Sequence, residues 1–315
     1  MRGLWPLVKV VAGVGILVAL VVRLGAQAFV DGLTAIGVGS VLAALALGLL
    51  TTVASAARWC IVARGLGLRL PLAAAVSDCY RAVFLNSVLP AGVLGDVHRA
   101  VGYGRQIGDV GRGVRVVALE RVTGQAAVVV LGLAVLLGAM VPGRSGGAEL
   151  LAVLVALGAA VLWTARHPRA ARVRTALRSA CTEARSGALS RSTWPGLLAL
   201  SVVTLAGYLA LFFVAARVAG SQASLGELLP LLVLGLLAMA LPLNIGGWGP
   251  REGVMAVAFG AVGLGAAQGL TTAVVYGVLS LIACLPGAVV LLLAARAPVR
   301  RNPAPRPAML ERSPA

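Results

Sequence analysis

The side chains able to do chemistry in this sequence are arginines and carboxylates set in apolar surroundings. Arg81 lies three residues beyond Asp78, with Asn86, Asp96 and Arg99 close behind. Glu120 and Arg121 are neighbours. Arg251 and Glu252 are neighbours inside Leu241–Gly253, read Leu-Pro-Leu-Asn-Ile-Gly-Gly-Trp-Gly-Pro-Arg-Glu-Gly. Ionisable groups in apolar sequence are costly and usually functional, facing a protein interior or a watery cavity. The chemistry these offer is recognition of an anion by the forked donors of arginine. No nucleophile–base pair or metal-ligand spacing accompanies them. Cys60, Cys79, Cys181 and Cys284 form no C-x-x-C, and His98 and His167 are far apart. No catalytic residue, metal or cofactor is therefore expected, and the sequence points away from an enzyme.

Each charged group admits two readings. Arg81, Asn86, Asp96, Arg99, Glu120, Arg121, Arg251 and Glu252 can together bind an anionic head group. Alternatively, Asp78 with Arg81 and Asp96 with Arg99, each three apart, are local salt bridges. Asp96 is also placed to cap the helix that follows it. Glu120 and Arg121 can be a snorkelling pair at a membrane edge. Arg251 and Glu252 can be a structural pair at a helix start. Asn86 suits a hydrogen bond between helices.

Two interrupted stretches must position these groups, Asn86–Arg99 and Leu241–Gly253. The apolar runs flanking the second, Leu228–Ala240 and Val254–Leu264, are each too short to cross a bilayer, which needs roughly 20 residues. Pro90 and Pro242 remove a backbone donor and disfavour helix before them. Gly92, Gly95, Gly246, Gly247 and Gly249 permit turns closed to other residues. Pro250 suits the first position of a new helix. Arg251 and Glu252 then fall in its first turn, beside free N–H groups that attract anions. Such broken backbone is tolerated at membrane depth only when protein or a cavity covers it. One break in each half of a chain is the pattern found around transporter binding sites. The two breaks share Leu-Pro followed by a glycine, Gly95 or Gly247, which gives an expectation of an inverted repeat.

The whole chain agrees with a membrane setting. Of 315 residues 60% are hydrophobic and 12% charged, with mean hydropathy +0.98. Soluble domains carry about 25% charged residues. The expected fold is an all-α polytopic membrane helix bundle with two broken re-entrant segments. Spans are expected at Val10–Val22, Leu33–Ala57, Val116–Val141, Leu150–Ala165, Leu197–Ala219 and Thr271–Ala295, the last bent at Pro286. Pro71–Gly95 reads as the first re-entrant segment and Val97–Arg115 as a basic interfacial one. Arg166–Arg191 reads as an amphipathic surface helix. Residues 1–295 form one transmembrane domain and 296–315 a basic disordered cytoplasmic tail. The first helix reads as a signal anchor, with a cleavable signal ending at Ala26-Gln-Ala28 as the alternative.

The net charge of +17 does not point to nucleic acid, because the arginines flank apolar spans. It reads as topology, positive charge retained on the cytoplasmic side. With both termini cytoplasmic and both broken segments returning to their side of entry, 21 of the 27 basic residues lie inside. Arg58, Arg64 and Arg69 belong to that inner group. The two broken segments then enter from opposite sides.

At these residues the chain resembles the lysylphosphatidylglycerol synthase transmembrane family, also called flippase-like integral membrane proteins. The shared pattern is Arg81, Asn86-x-x-Leu-Pro-x-Gly-x-x-Gly-Asp-x-x-Arg99, Glu120-Arg121, and Leu-Pro-x-x-x-Gly-Gly-x-Gly-x-Arg-Glu-Gly253. Leu94 departs from it where a second glycine is expected. The resemblance implies a multi-span bacterial plasma-membrane protein that moves lipids between leaflets. Its implied partners are lipids with anionic head groups: a phospholipid, an aminoacyl-lipid or a polyprenyl-phosphate-linked lipid. Two-part members add a soluble domain that transfers an amino acid to phosphatidylglycerol. No hydrophilic segment here is long enough to hold one, so synthase activity is not expected. The alternative is a non-transporting subunit that anchors a glycosyltransferase or lipid-modifying enzyme through Arg166–Arg191.

Overall fold

A computed structural model describes residues 30, 34–89, 92–139, 193–239 and 249–296. Among them the chain is all-helical, without strands. Eight helices follow in order: α1 (Val38–Gly65), α2 (Leu72–Val88), α3 (Leu94–Gln106), α4 (Val110–Ala139), α5 (Trp194–Val218), α6 (Leu225–Met239), α7 (Pro250–Ala261) and α8 (Ala266–Arg296). The expected helices Val10–Val22, Leu150–Ala165 and Arg166–Arg191, the tail beyond Arg296, and break residues Pro90, Pro242, Gly246 and Gly247 lie outside the described residues.

Four helices are long and apolar enough to cross a membrane: α1, α4, α5 and α8. The shortest, α5, has 25 residues, about 37 Å at 1.5 Å per residue. Their outward faces carry exposed Leu42, Leu49, Val130, Leu137, Leu292 and Leu293, as a surface bathed in acyl chains requires. In contrast α2, α6 and α7 have 17, 15 and 12 residues. At the same rise they are about 18–26 Å long, short of a hydrocarbon core of about 30 Å.

Two boundaries differ from the sequence reading. α1 runs on past Ala57 to Gly65, so Arg58 and Trp59 are inside the helix and buried. Val97–Arg115 is not one interfacial segment. It is split between α3 and the start of α4, with a turn at 107–109. The reason is packing: Ala100 and Tyr103 of α3, Val116, Val117 and Leu119 of α4, and Trp59 of α1 share one apolar core. A second core joins α5, α6, α7 and α8 through Leu211, Phe212, Leu231, Met255, Phe259 and Tyr276. Pro286 lies within α8, which continues through it to Arg296.

Small residues set how closely the helices approach, as expected where lipid provides no apolar driving force. A Cβ at Gly287 would collide with the Tyr80 carbonyl, one at Gly269 with the Met255 carbonyl, and one at Gly48 with Ala283. α8 therefore rests against α2, α7 and α1. Gly207 stands over the methyl group of Thr51, fixing α5 on α1.

The described glycines of the two breaks divide into two roles. Gly92 and Gly249 have φ of 60° and 110°, conformations that L side chains avoid. Gly95 was expected in a turn, but it is helical, in the first turn of α3. Its purpose is proximity: a Cβ there would run into the Ala82 carbonyl, so α3 folds back directly onto α2. Pro250 opens α7, as its fixed φ predicts.

Candidate functional site

The charged residues of the first half come together as a single chain of ion pairs. Arg58 of α1 donates from Nε (3.1 Å) and Nη2 (2.5 Å) to Glu120 Oε1 on α4. The other oxygen of Glu120, Oε2, accepts from Arg99 Nη2 of α3 at 2.9 Å. Arg99 also pairs with Asp96 Oδ1 at 3.2 Å, one turn back on its own helix. Asp96 in turn accepts from Arg121 Nη2 of α4 at 2.7 Å. The order is Arg58, Glu120, Arg99, Asp96, Arg121, alternating in sign with an arginine at each end. Glu120 is 2% exposed and Arg99 4%. Charges so far from water persist only when paired and hydrogen-bonded, as these are.

Neighbouring groups fix the chain in place. Arg99 Nη1 donates to Cys79 Sγ at 3.1 Å, and its guanidinium lies 4.6 Å from the centre of the Trp59 ring. Arg58 Nη1 reaches Ser201 Oγ of α5 at 3.5 Å. Asn86 does two jobs across the α2–α3 turn. Its Nδ2 donates to Asp96 Oδ2 at 2.9 Å, and its Oδ1 accepts the Gly95 N–H at 2.8 Å. Asn86 thus satisfies a free donor at the start of α3. That corrects the expectation that Asp96 caps this helix: the N-cap residue is Val93, without a side-chain bond, and the Asp96 carboxylate is taken by arginines. Glu120 and Arg121 are likewise not a snorkelling pair with each other, since they face Arg58 with Arg99 and Asp96 respectively.

Beside this chain lies a cavity of 340 Å³, walled by α1, α2, α4, α5, α6 and α8 and, through Arg99, by α3. Arg58, Arg99, Glu120 and Arg121 line it at one end. Three helices then change character in step. On α1 the wall passes from Arg58 through Ser55, Thr52 and Thr51 to Gly48 and Leu47. On α4 it passes from Glu120 and Arg121 through Gln125 to Val128. On α5 it passes from Ser201 and Thr204 to Leu205, Gly207, Tyr208 and Leu211. Arg58 meets both Glu120 and Ser201, and Thr51 meets Gly207. The gradients are therefore aligned, with α1 running opposite to α4 and α5. Charge gives way to hydroxyl and amide, then to mainly aliphatic carbon with Tyr208 among it, over about 16 Å of α1.

Five of the expected site residues do not line the cavity: Asn86 and Asp96 belong to the ion-pair network behind its charged end, and Arg81, Arg251 and Glu252 stand apart from that network. Arg81 pairs with Asp78 at 2.9 Å and donates to Ser77 Oγ at 3.2 Å, and it does not line the cavity. Arg251 and Glu252 form a buried ion pair, 2% and 0% exposed, in the first turn of α7. Glu252 Oε2 also accepts the Gly249 N–H at 2.6 Å, so the anion at this helix start is the chain's own carboxylate. Arg251 is close to the cavity only through Tyr276, a wall residue whose ring centre is 5.1 Å from its guanidinium carbon. The other face of that region is Phe212, stacked on Tyr276 with centroids 4.1 Å apart.

Arg58 was missed as a site residue because it follows an apolar run and reads as a loop charge. A signal was present. Thr51, Ser55 and Arg58 recur at helical spacing, a polar stripe on an otherwise apolar helix.

No curated protein matches the chain in sequence. The family of lysylphosphatidylglycerol synthase TM regions matches residues 7–287, which spans both broken stretches, all of α1 to α7 and most of α8. By this match the chain belongs to the lysylphosphatidylglycerol synthase transmembrane family.

Proposed function

We propose that the protein is a flippase-like lipid transporter that moves lipids with anionic head groups between the leaflets of a bacterial plasma membrane. The observation that carries this reading is the graded cavity. Its walls offer guanidinium groups to a charged head, hydroxyls to the ester and alcohol oxygens behind it, and aliphatic carbon where acyl chains begin. At 340 Å³ it lies at the small end of ligand sites. It would take a head group and its linker while the chains remain in lipid.

On this reading the α2–α3 and α6–α7 pairs are the two re-entrant segments, returning to their sides of entry. Their short helices support it, as does the packing of α2 and α7 on the common span α8. Asn86, Asp96, Arg99, Glu120 and Arg121 handle the head group, and Arg58 joins them. Arg251 acts through Tyr276, holding its ring at the wall, and Arg81 neutralises Asp78. Membership in a TM-region family supports transport rather than aminoacyl transfer as the role of this chain.

Transport in proteoliposomes, read with a fluorescent anionic lipid and a membrane-impermeant quencher, tests the proposal. Arg99→Ala is expected to slow exchange between leaflets by at least about tenfold, equivalent to ~1.4 kcal/mol. Arg99→Lys, which keeps the charge but loses the fork, is expected to fall between. Full exchange by folded Arg99→Ala protein would reject the reading.

A further inference from the structure

The ion pairs of the first half are not equally protected. Glu120 meets Arg58 and Arg99 with all three side chains buried. Parting either pair would strand a charge away from water, which is strongly unfavourable. The outermost pair differs. The Arg121 side chain is 52% exposed and that of Asp96 14%, so water can replace their bond, and pairs of this kind are weak. Asp96 loses little when Arg121 leaves: Oδ1 keeps Arg99 and Oδ2 keeps Asn86. The bond between Arg121 and Asp96 is therefore the first of the network to yield.

That bond also stands at an opening. Arg121 and Gln125 line the cavity and are exposed, so among the described residues the cavity reaches the surface on this side of α4. Asp96, at the start of α3, holds Arg121 at the charged end of that mouth, and Asn86 of α2 holds Asp96. We infer that the Arg121–Asp96 bond is a strap across the charged mouth of the cavity, opening and closing while Arg58, Glu120 and Arg99 stay fixed. This rests on the reading of the cavity as a lipid site and supplies the regulation of that site. Closed, the strap occupies the Arg121 guanidinium with the chain's own carboxylate. Open, it widens the mouth and frees the guanidinium. Asp96 is the fixed half, because Gly95 seats α3 on the backbone of α2 at Ala82. Arg121 is the moving half, and its release takes a side-chain rotation rather than the displacement of a helix.

Cys79 reports the state of the strap, because it lines the cavity and accepts a hydrogen bond from Arg99 at the charged end. The parent for the test is the purified full chain with Cys60→Ser, Cys181→Ser and Cys284→Ser, labelled by a bulky, charged, water-soluble maleimide. Arg121→Gln is expected to speed labelling of Cys79 about threefold to fivefold, the factor an exposed ion pair supplies. Arg121→Lys, which can still pair with Asp96, is expected to stay within about twofold of the parent. The half-exposed position of Arg121 makes both variants compatible with folding. Raising the salt from about 0.01 M to about 1 M shortens the screening length from about 30 Å to about 3 Å. It is expected to speed labelling of the parent and to leave Arg121→Gln unchanged, a difference that a merely structural arginine would not produce. A second protein keeping only Cys284, whose neighbour Ala283 meets Gly48 at the aliphatic end, detects loosening of the whole bundle. Its labelling is expected to be the same with and without Arg121→Gln. Equal Cys79 labelling in parent and Arg121→Gln, no salt response in the parent, or a rise at Cys284 matching that at Cys79 would overturn the strap. Lipid exchange measured on the same proteins separates the two readings: a responsive strap in a protein that exchanges no lipid would overturn the lipid site and leave the strap.

Discussion

At the scale of single residues, Glu120 decides most. It sits between Arg58 and Arg99 with each carboxylate oxygen given to a different arginine. Removing it leaves two buried cations facing each other. Glu120→Ala is expected to destabilise the protein by about 3–5 kcal/mol, the range for breaking a buried pair on one side only. Thermal unfolding in detergent checks this. Glu120→Ala combined with Arg58→Ala is expected to recover part of the loss, since one of the orphaned charges goes too. A double variant no more stable than Glu120→Ala alone would show that Arg58 and Glu120 are not coupled. Sequence spacing made the local members of the chain legible: Asp96 and Arg99 sit one turn apart, and Glu120 next to Arg121. It could not reveal that Glu120 and Arg121 point to different partners, because that depends on how α1 and α3 pack together against α4.

At the scale of elements, the α2–α3 turn works by contact. Gly95 lets α3 lie on the backbone of α2 at Ala82, which places Asn86 over Asp96 and the Gly95 N–H. Gly95→Val is expected to force the two helices apart. A cost of about 1–3 kcal/mol, typical of overpacking, should appear in the unfolding temperature, with loss of lipid exchange. Gly102 in the same helix has nothing within 4 Å of a built Cβ. Gly102→Ala is therefore expected to be neutral or to stabilise α3 by up to about 1 kcal/mol. Loss of stability in both variants would mean that helix propensity, not proximity, governs the segment. The existence of α2, α5, α7 and α8 was readable from apolar run length and from Pro250 as a helix opener. The far end of α1 was not. An apolar run stops at Ala57, but a helix stops only where its hydrogen bonds do, at the turn after Gly65. The role of Gly95 was also hidden, because turn glycines and contact glycines look alike in a sequence.

At the scale of the molecule, the cavity depends on three helices whose polar and apolar zones coincide. Thr204 of α5 lies in the hydroxyl zone. Thr204→Trp is expected to fill it and slow lipid exchange at least about tenfold, or ~1.4 kcal/mol. The ion-pair chain at the charged end should persist. The same proteoliposome measurement reads the effect, and unchanged exchange would mean that the head group travels elsewhere. The charged zone was partly foreseen from Arg99, Glu120 and Arg121. The hydroxyl zone was signalled only on α1, by the spacing of Thr51, Ser55 and Arg58; Ser201 and Thr204 of α5 gain meaning only when their partners across the cavity are known.

The polar face of α1 also limits how the chain can change in length. Thr51, Ser55 and Arg58 share one side of that helix only while the count of residues between them stays fixed. One amino acid inserted between Ser55 and Arg58 would swing the guanidinium through about 100°, out of reach of Glu120 and towards hydrocarbon. A deletion would swing it as far the other way. The number of residues from Leu47 to Arg58 is therefore constrained more tightly than the identity of any aliphatic side chain among them.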